Sequence, residues 1–425
     1  MERKINKFLL KWKTDLIRKP LLIIGTRQVG KTYTALDFGK QNYQYVAYFN
    51  TDHNTILKDL FKKERSITRL AEALSIISEV PIVKNDTLII FDNVTDEEII
   101  KGIKLFGYDK NDYHVIAITS SRDSLLKFRG EEFQYKIMTE MDYEEFLWAI
   151  GEKETADKIR YAYDNHRSCS VHTKALDFFY DYLITGGLPE VVEAFATKKH
   201  YGYLDSIKER VFDINKSELL NSKNLIDIER GIEVMESIPK QLEKENKKFQ
   251  YGVLGYGRRA KEYENSINYL VTNQLVYRSY KIRVAKSPLS SCRELDSFKL
   301  YLPDDGLLSM RYNLTKDRLS VDDNIKQALY ENHIAHTLVE AGYSLYYYQS
   351  EGKAEVNFVI QNRMRQIIPI ELATKQGSKV KSLSVFMKKY IVTDAYRITE
   401  NNFSTKKNVR YLPIYAIFCL NEQLY

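Results

Sequence analysis

One short segment constrains the fold of this 425-residue chain more than any other. An apolar run, Leu21–Ile24, leads into it, and a helical pattern begins near Lys31. The segment matches G-x-x-x-x-G-K-[ST], whose glycines let backbone N–H groups surround a phosphate when a strand precedes and a helix follows. The sequence therefore predicts a phosphate-binding loop formed by Gly25, Thr26, Arg27, Gln28, Val29, Gly30, Lys31 and Thr32.

The end of this loop has defined expected roles. Lys31 is expected to bridge the β- and γ-phosphates of ATP, and Thr32 to hold Mg²⁺ through its hydroxyl. The N-terminus of the following helix adds positive potential at the same place. The alternative is a chance match in an unrelated turn. ATP and Mg²⁺ are thus the expected cofactors, and all the loop residues are candidates for binding them.

A second apolar run ends in an acid, as the other half of such a site requires. Thr87–Phe91 precedes Asp92, which is expected to hold the water shell of Mg²⁺ and to take part in catalysis. The next residue is Asn93, where many ATPases carry a glutamate that activates the attacking water. An amide cannot accept that proton, so hydrolysis is expected to be slow unless Glu97 or Glu98 serves instead.

A third predicted strand, His114–Thr119, ends in polar residues. Thr119 is a candidate sensor of the γ-phosphate, because ligands of parallel sheets bind beyond the carboxyl ends of the strands. The alternative is that this segment caps a helix starting at Ser124.

The alternation of strands and helices in the N-terminal third predicts an α/β fold with a parallel sheet covered on both faces. The chain carries 64 Lys+Arg against 57 Asp+Glu, a net charge of +7 that permits nucleic-acid contact without requiring it. Its three cysteines are scattered, and no run of about 18 apolar residues occurs. These features predict a cytoplasmic protein that does not bind a membrane.

Several motifs, taken in order, resemble those of prokaryotic AAA+-like ATPases with a C-terminal domain of unknown function and a restriction-nuclease-like fold. Besides the phosphate loop and the Asp92 strand, they lie at 119–121, 141–146, 185–190 and 330–332. The resemblance implies four regions. They are an AAA+-like P-loop ATPase core (1–141), a helical lid (142–242), a winged-helix-like domain (243–318) and a PD-(D/E)XK nuclease-like domain (319–425).

The resemblance also implies roles outside the nucleotide loop. Arg129 is carried over as a catalytic candidate that stabilises charge, although the order Arg129-Gly130 is the reverse of the family's, and an exposed loop arginine is the alternative. In the winged-helix region, basic residues interleaved with tyrosines suit contact with double-stranded DNA, whereas a solvated face or a protein-docking surface is the alternative. The basic residues are Arg258, Arg259, Lys261, Arg278, Lys281, Arg283 and Lys286.

The last region lacks part of the nuclease site that the resemblance implies. Glu331 and Glu371 are present, but Asn357 stands where an aspartate is expected and Ala373 where a lysine is expected. Loss of a metal-binding carboxylate and of the cation predicts a nuclease-silent domain, unless Lys375 substitutes for the lysine.

Two functions remain open at this stage. The leading one is an ATP-binding, slowly hydrolysing AAA+-type ATPase whose nucleotide state alters a DNA- or protein-binding C-terminal half. The other is a non-hydrolysing, nucleotide-gated binding module. His333 and His336, three residues apart on a predicted helix, are expected to be exposed at the surface rather than bound to a metal. The oligomeric state is left open.

Overall fold

A computed structural model describes residues 1–107, 112–120, 132–198, 201–218, 225–320, 322–350, 355–373 and 381–421. The chain divides into two compact units. Glu2–Thr139 form the first, and Glu140–Tyr425 make up the body of the second. None of the described helices is long and apolar enough to cross a membrane.

The first unit alternates strands with helices, as the sequence predicted. The described strands are β1 (Leu21–Ile24), β2 (Tyr45–Asn50), β3 (Thr87–Asp92), β4 (His114–Thr119) and β5 (Gln134–Ile137). The described helices are α1 (Ile5–Lys13), α2 (Lys31–Asn42), α3 (Thr55–Lys63), α4 (Ile67–Ser78) and α5 (Glu97–Leu105).

These strands form a five-stranded parallel sheet in the order β2-β3-β4-β1-β5. Because successive side chains of a strand point to opposite faces, Leu22 and Ile24 pack into one core, and Leu21 and Ile23 into another. The prediction of a parallel sheet buried on both faces is confirmed. Strand β4 pairs with both β1 and β3, so its carboxyl end at Thr119 lies between the ends of those two strands.

The first helix is shorter than the sequence pattern indicated. The helical spacing of Ile5, Phe8, Leu9, Trp12 and Leu16 predicts a helix over residues 3–18 with these side chains on one stripe. However, α1 ends at Lys13, and Leu16 is 98% exposed. The side chain of Asp15 accepts a hydrogen bond from the Ile17 N–H at 2.9 Å. Such a local turn satisfies the backbone outside a helix, so the helix stops before it.

The second unit begins with helices and ends with a large sheet. The described helices are α6 (Tyr143–Ala149), α7 (Lys153–Asp164), α8 (His172–Thr185), α9 (Pro189–Lys198), α10 (Leu204–Glu218), α11 (Leu225–Leu242), α12 (Ala260–Thr272), α13 (Asp305–Arg311), α14 (Asp323–Glu340) and α15 (Lys381–Tyr390). The described strands are β6 (Tyr277–Ile282), β7 (Arg293–Tyr301), β8 (Tyr346–Gln349), β9 (Glu355–Gln361), β10 (Ile367–Leu372), β11 (Ala395–Thr399), β12 (Ser404–Lys406) and β13 (Val409–Pro413).

These strands form a mixed eight-stranded sheet in the order β12-β13-β11-β10-β9-β8-β6-β7. The β6–β7 hairpin is antiparallel, and β6 also pairs in parallel with β8. Strands β6 and β7, from the region that the resemblance identifies as winged-helix-like, therefore share one sheet with β8 to β13 of the nuclease-like region. Helix α14 packs its apolar side chains into the same core as this sheet.

The chain leaves the first unit directly beside the phosphate loop. The N–H of Met138 donates to the Ile24 carbonyl at 2.7 Å. The Met138 carbonyl lies against Gly25, where an added Cβ would come within 2.0 Å of its oxygen. Only glycine fits at this position, because no side chain tolerates a backbone atom so close.

The chain enters the second unit at an equally close contact. The N–H of Met141 donates to the Gly187 carbonyl at 2.7 Å, and an added Cβ on Gly187 would meet the Met141 oxygen at 2.0 Å. The N–H of Gly187 donates in turn to the Asp304 carboxylate at 2.6 Å. The Gly186-Gly187 turn thus anchors the start of the second unit to the segment that precedes α13.

Candidate nucleotide-binding site

The phosphate loop connects β1 to α2 in the conformation that its sequence requires. Gly30 is the residue before α2 and has a left-handed backbone, with φ of 89°. Gln28 is also left-handed, with φ of 67°. The N–H of Gly25 points to the Thr119 carbonyl at 3.4 Å, which ties the start of the loop to the end of β4.

Lys31 closes the loop from the inside. Its side chain is buried, and Nζ donates to the carbonyl oxygens of Gly25 at 2.9 Å and of Thr26 at 2.6 Å. A buried ammonium needs such acceptors, because its desolvation would otherwise be costly. A phosphate oxygen is a stronger, charged acceptor that can take the place of these carbonyls.

Arg3 has a role that the sequence did not indicate. Its guanidinium donates to the Val29 carbonyl at 2.9 Å and to the Thr139 carbonyl at 2.7 Å. It therefore fixes the phosphate loop and the end of the first unit at once. The contacts span 26 and 136 residues along the chain, so no local pattern could indicate them.

Thr32 and Asp92 meet where a magnesium ion is expected. The Thr32 hydroxyl donates to Asp92 Oδ2 at 2.7 Å, and the Tyr48 hydroxyl donates to the same oxygen at 3.0 Å. Burial, together with the Asp92 carboxylate, raises the pKa of Tyr48 to about 12, so its hydroxyl remains a donor. Tyr48, on β2, was not identified from the sequence. Hydroxyl and carboxylate oxygens are the hard ligands that Mg²⁺ prefers.

Asn93 has a conformational role that the sequence did not indicate. Its backbone is left-handed, with φ of 59°, a region in which asparagine is several-fold enriched. Its side-chain amide donates to Asn50 Oδ1 at 3.2 Å, and its N–H donates to Asp92 Oδ1 at 2.9 Å. The residue therefore orients the carboxylate of Asp92 through its backbone.

The two alternative bases, Glu97 and Glu98, both lie beside Lys101. Glu98 pairs with Lys101 at 2.8 Å and with Arg65 at 3.8 Å. These ion pairs lower the pKa of Glu98, and the Lys101 hydrogen bond has the largest effect. A carboxylate with a lowered pKa is a weaker base. Glu97 is exposed and lies 3.8 Å from Lys101.

The two remaining nucleotide-site candidates have different outcomes. Thr119 is fully buried at the end of β4, between the phosphate-loop strand and the Asp92 strand. Arg129 lies outside the described residues, as does the proposed helix start at Ser124.

In the second unit, Glu331 forms the centre of a buried ion cluster. Its carboxylate accepts hydrogen bonds from Lys247 at 2.8 Å, from Lys299 at 3.0 Å and from the Tyr301 hydroxyl at 2.8 Å. Lys299 also contacts Glu355 at 3.0 Å. Two ammonium groups thus surround the acid that the nuclease-like pattern assigns to a metal ion.

The electrostatics of this cluster follow from its burial and its charges. Burial alone would raise the pKa of Glu331, but Lys247 and Lys299 outweigh it and hold that pKa well below its ordinary value. Burial lowers the pKa of Lys247, whereas the carboxylates of Glu331 and Glu355 raise that of Lys299 despite its burial. The cluster is a set of mutually dependent charges.

The other nuclease-like positions are partly brought together. Asn357 on β9 donates to Glu331 at 3.3 Å and accepts from the Leu372 N–H at 3.0 Å. Glu371 on β10 instead pairs with Arg397 at 3.5 Å. Lys375 lies outside the described residues.

Family models match three stretches of the chain. Residues 17–147 match an AAA domain, a range that contains the phosphate loop, Asp92 and Thr119. The first unit is thus similar to an AAA domain over most of its length. Residues 176–318 match a domain of unknown function (DUF8612), and residues 326–417 match another (DUF4143). The predicted AAA-like class and the predicted C-terminal domain of unknown function are thereby confirmed.

Two solved structures are similar to the chain at 12% identity. One is a Walker-type ATPase from Pyrococcus abyssi, with a TM-score of 0.42 over 73% of this chain and 95% of that one. The other is the ORC1 protein of Aeropyrum pernix in complex with DNA, with a TM-score of 0.30 over 78% and 93%. Scores at this level support no assignment. No curated protein matches the chain.

Outside the AAA domain, most of the basic residues proposed for DNA contact have partners within the protein. Arg258 pairs with Glu233 at 3.1 Å, and Lys281 and Arg283 both pair with Glu294. The Arg278 guanidinium lies 4.6 Å from the centre of the Tyr280 ring. The other three, Arg259, Lys261 and Lys286, are exposed and form no ion pair with a described residue.

The expectation that His333 and His336 are exposed is wrong. Their exposed fractions are 2% and 1%. Helix α14 is buried along most of its length, because it packs between the helices of the second unit and its sheet. A polar residue in such a helix needs partners from another element, which spacing along the helix cannot indicate.

Proposed function

We propose that the protein binds ATP with Mg²⁺ in the AAA domain and hydrolyses it slowly. The observation that carries the proposal is the 2.7 Å contact between Thr32 and Asp92, which joins the phosphate loop to the acidic strand. Together with Lys31 and the left-handed Gly30, these oxygens fit a nucleotide and its divalent ion. Bound Mg²⁺ supplies charge neutralisation at the phosphates.

Each residue of the site has a distinct proposed role toward ATP and Mg²⁺. Lys31 exchanges two backbone carbonyls for phosphate oxygens and thereby places its charge beside the triphosphate. Thr32 and Asp92 hold the ion and its water shell, and Tyr48 keeps the Asp92 carboxylate oriented. Thr119 stands between them as the candidate γ-phosphate sensor. The side-chain amide of Asn93 is not a base and cannot take up the proton of the attacking water, which supports slow turnover.

We further propose that nucleotide state is transmitted to the second unit through the chain that joins them. Met138 packs on Gly25 of the phosphate loop, and Met141 binds Gly187 three residues later. Reshaping of the loop around a phosphate therefore acts on the segment that begins the second unit. A protein that holds ATP without turnover, as a gated binding module, is the alternative.

Replacing Asn93 with glutamate tests slow turnover. A positioned base typically contributes about 10²–10⁴-fold, so ATP hydrolysis measured by phosphate release should rise. Glutamate in a left-handed conformation costs roughly 1–2 kcal/mol, which lowers stability but leaves the base in place. Asn93→Gly, which keeps the left-handed backbone, is the control and should turn over at the wild-type rate. If the wild type hydrolyses ATP fast and Asn93→Gly hydrolyses it more slowly, the Asn93 side chain itself takes part in turnover. That result would contradict the proposal.

The second unit is proposed as a nuclease-like scaffold without cleavage activity. The two lysines at Glu331 support this, because their two positive charges take the place that a divalent ion would have beside this carboxylate. Asn357 and Ala373 support it further, since neither can replace the missing carboxylate or cation.

A second candidate function, binding of duplex DNA, is favoured by one exposed loop. Tyr256 is fully exposed between Gly255 and Gly257, both with positive φ, and Arg258 and Arg259 follow. Exposed cations on a protruding loop suit contact with the phosphates of a duplex. The paired state of Arg258 narrows the basic surface to fewer residues than the sequence suggested.

DNA binding is best tested through its salt dependence. The Arg259→Ala/Lys261→Ala variant should lower the slope of log affinity against log salt concentration by roughly two, about one per phosphate contact. Lys281→Ala, whose charge is already paired with Glu294, serves as the control and should leave the slope near the wild-type value. Fluorescence anisotropy with a short duplex at several salt concentrations measures both. An unchanged slope in the double variant would favour a protein-docking role.

A further inference from the structure

Three potential metal ligands that the nucleotide site does not use converge inside the second unit. His333 and His336 lie on α14, and Asp305 begins α13. His333 Nδ1 is 2.8 Å and His336 Nε2 is 2.9 Å from the same oxygen, Asp305 Oδ2. The three ligand atoms lie within 4.8 Å of one another, and Asp305 is fully buried.

We propose that Asp305, His333 and His336 form a binding site for a divalent transition-metal ion, with Zn²⁺ as its occupant. Two imidazole nitrogens and one carboxylate oxygen form a donor set that suits Zn²⁺ and disfavours Mg²⁺ and Ca²⁺, which prefer oxygen ligands alone. Three protein ligands leave a fourth position for a water molecule.

The distances fit an ion after a small adjustment. With zinc–ligand bonds of about 2.0–2.2 Å, the ligand atoms of a tetrahedral site lie roughly 3.3 Å apart. The two hydrogen-bonded contacts therefore need to open by about 0.5 Å, which side-chain torsions can supply. The imidazole rings already stand edge to face, at an interplanar angle of 81°, with their centroids 5.0 Å apart.

The groups around the ligands resemble an outer coordination shell. Asn332 donates to the other oxygen of Asp305 at 3.0 Å, which fixes the plane of the carboxylate. On His336, the nitrogen that faces away from Asp305 lies 3.6 Å from the Glu340 carboxylate. A metal-bound histidine commonly donates its second N–H to a carboxylate, and a slightly closer approach of these two groups would form that bond. His333 Nε2 is buried and has no hydrogen-bond partner among the described residues.

The local charge also favours a cation. The carboxylate of Asp305 contacts both imidazoles, and that of Glu340 lies 3.6 Å from His336. His333 Nδ1 and His336 Nε2 both face the same oxygen, Asp305 Oδ2. A divalent ion at this point would take the place of the two donated protons, accept both ring nitrogens and the carboxylate as ligands, and add a charge of +2 beside these carboxyl groups.

Zinc binding by the full-length, chelator-treated and nucleotide-free protein tests the site. Competition with a chromophoric chelator should show one Zn²⁺ per chain, and Zn²⁺ should raise the melting temperature by a few degrees. Co²⁺ in place of Zn²⁺ should give the visible absorption of a site with low coordination number. Asp305→Asn and His336→Gln should each weaken Zn²⁺ binding by roughly 100-fold or more, whereas His172→Gln, a histidine elsewhere in the unit, should not.

The wild-type measurement decides the question even if a variant fails to fold. Absence of Zn²⁺ binding by the wild-type chain, with a melting temperature unchanged by Zn²⁺ or EDTA, would overturn the proposal. Wild-type affinity retained in a folded Asp305→Asn or His336→Gln protein would do the same, since it would assign the ion to other residues.

Discussion

Lys31→Ala is expected to weaken the binding of ATP with Mg²⁺ about 10- to 100-fold. A hydrogen bond to a charged group contributes about 1.5–3 kcal/mol, and each 1.4 kcal/mol corresponds to a factor of ten in affinity. The substitution removes the ammonium that the phosphate loop encloses through Gly25 and Thr26. Isothermal titration calorimetry at fixed Mg²⁺ measures the change.

Lys40→Ala is the matched control for this measurement. Lys40 lies on the same helix, α2, and is exposed, so its removal changes the net charge equally without touching the loop. It should bind ATP with nearly wild-type affinity. If both substitutions weaken ATP binding equally, the effect comes from long-range charge and not from a contact with the phosphates. If Lys31→Ala binds ATP as tightly as the wild type, the assignment of this loop as a nucleotide site is wrong.

Lys299→Met is expected to destabilise the second unit by about 3–5 kcal/mol, the usual cost of breaking buried ion pairs by removing one partner. The carboxylates of Glu331 and Glu355 would both lose a contact of 3.0 Å. Lys240→Met, an exposed lysine on α11, should change the free energy of unfolding by less than about 0.5 kcal/mol. Urea unfolding monitored by circular dichroism compares the two.

Removing both partners gives the sharper test of the cluster. Lys299→Met/Glu331→Gln should recover part of the lost free energy, because it removes one charge of each sign and leaves the charges of Lys247 and Glu355 to balance one another.

The pH dependence of this cluster has a defined sign. Since the pKa of Glu331 is lowered in the folded chain, its contribution is complete above its ordinary pKa near 4.5 and is lost as the pH falls below it. Glu331→Gln should lack this acid-dependent component of the free energy of unfolding. For the double variant Lys299→Met/Glu331→Gln, a loss equal to the sum of the two single-variant losses would contradict the coupling.

The sequence could predict the AAA domain well because its signals are local. The loop glycines, the apolar strand before Asp92 and the alternation of elements all lie within short stretches. Arg3 and Tyr48 escaped detection, since their partners are distant in sequence and a single arginine or tyrosine has no pattern. Asn93 was interpreted by its chemistry alone, and its left-handed backbone became visible only in three dimensions.

The second unit was harder to predict for the same physical reason. Its polar centre depends on pairings between residues such as Lys247 and Glu331, which are 84 positions apart. The sequence predicts that His333 and His336 are exposed, because the polar side of a helix is normally solvated. The buried Asp305 opposite them reverses that expectation.

The end of the first unit has a consequence for changes in chain length. The ends of a domain ordinarily tolerate inserted residues. Here the N–H of Met138 donates to the Ile24 carbonyl at 2.7 Å, and the Met138 carbonyl lies against Gly25. A residue inserted just before Met138 would displace both contacts and with them the start of the phosphate loop. The segment after β5 is therefore as sensitive to its length as to its sequence.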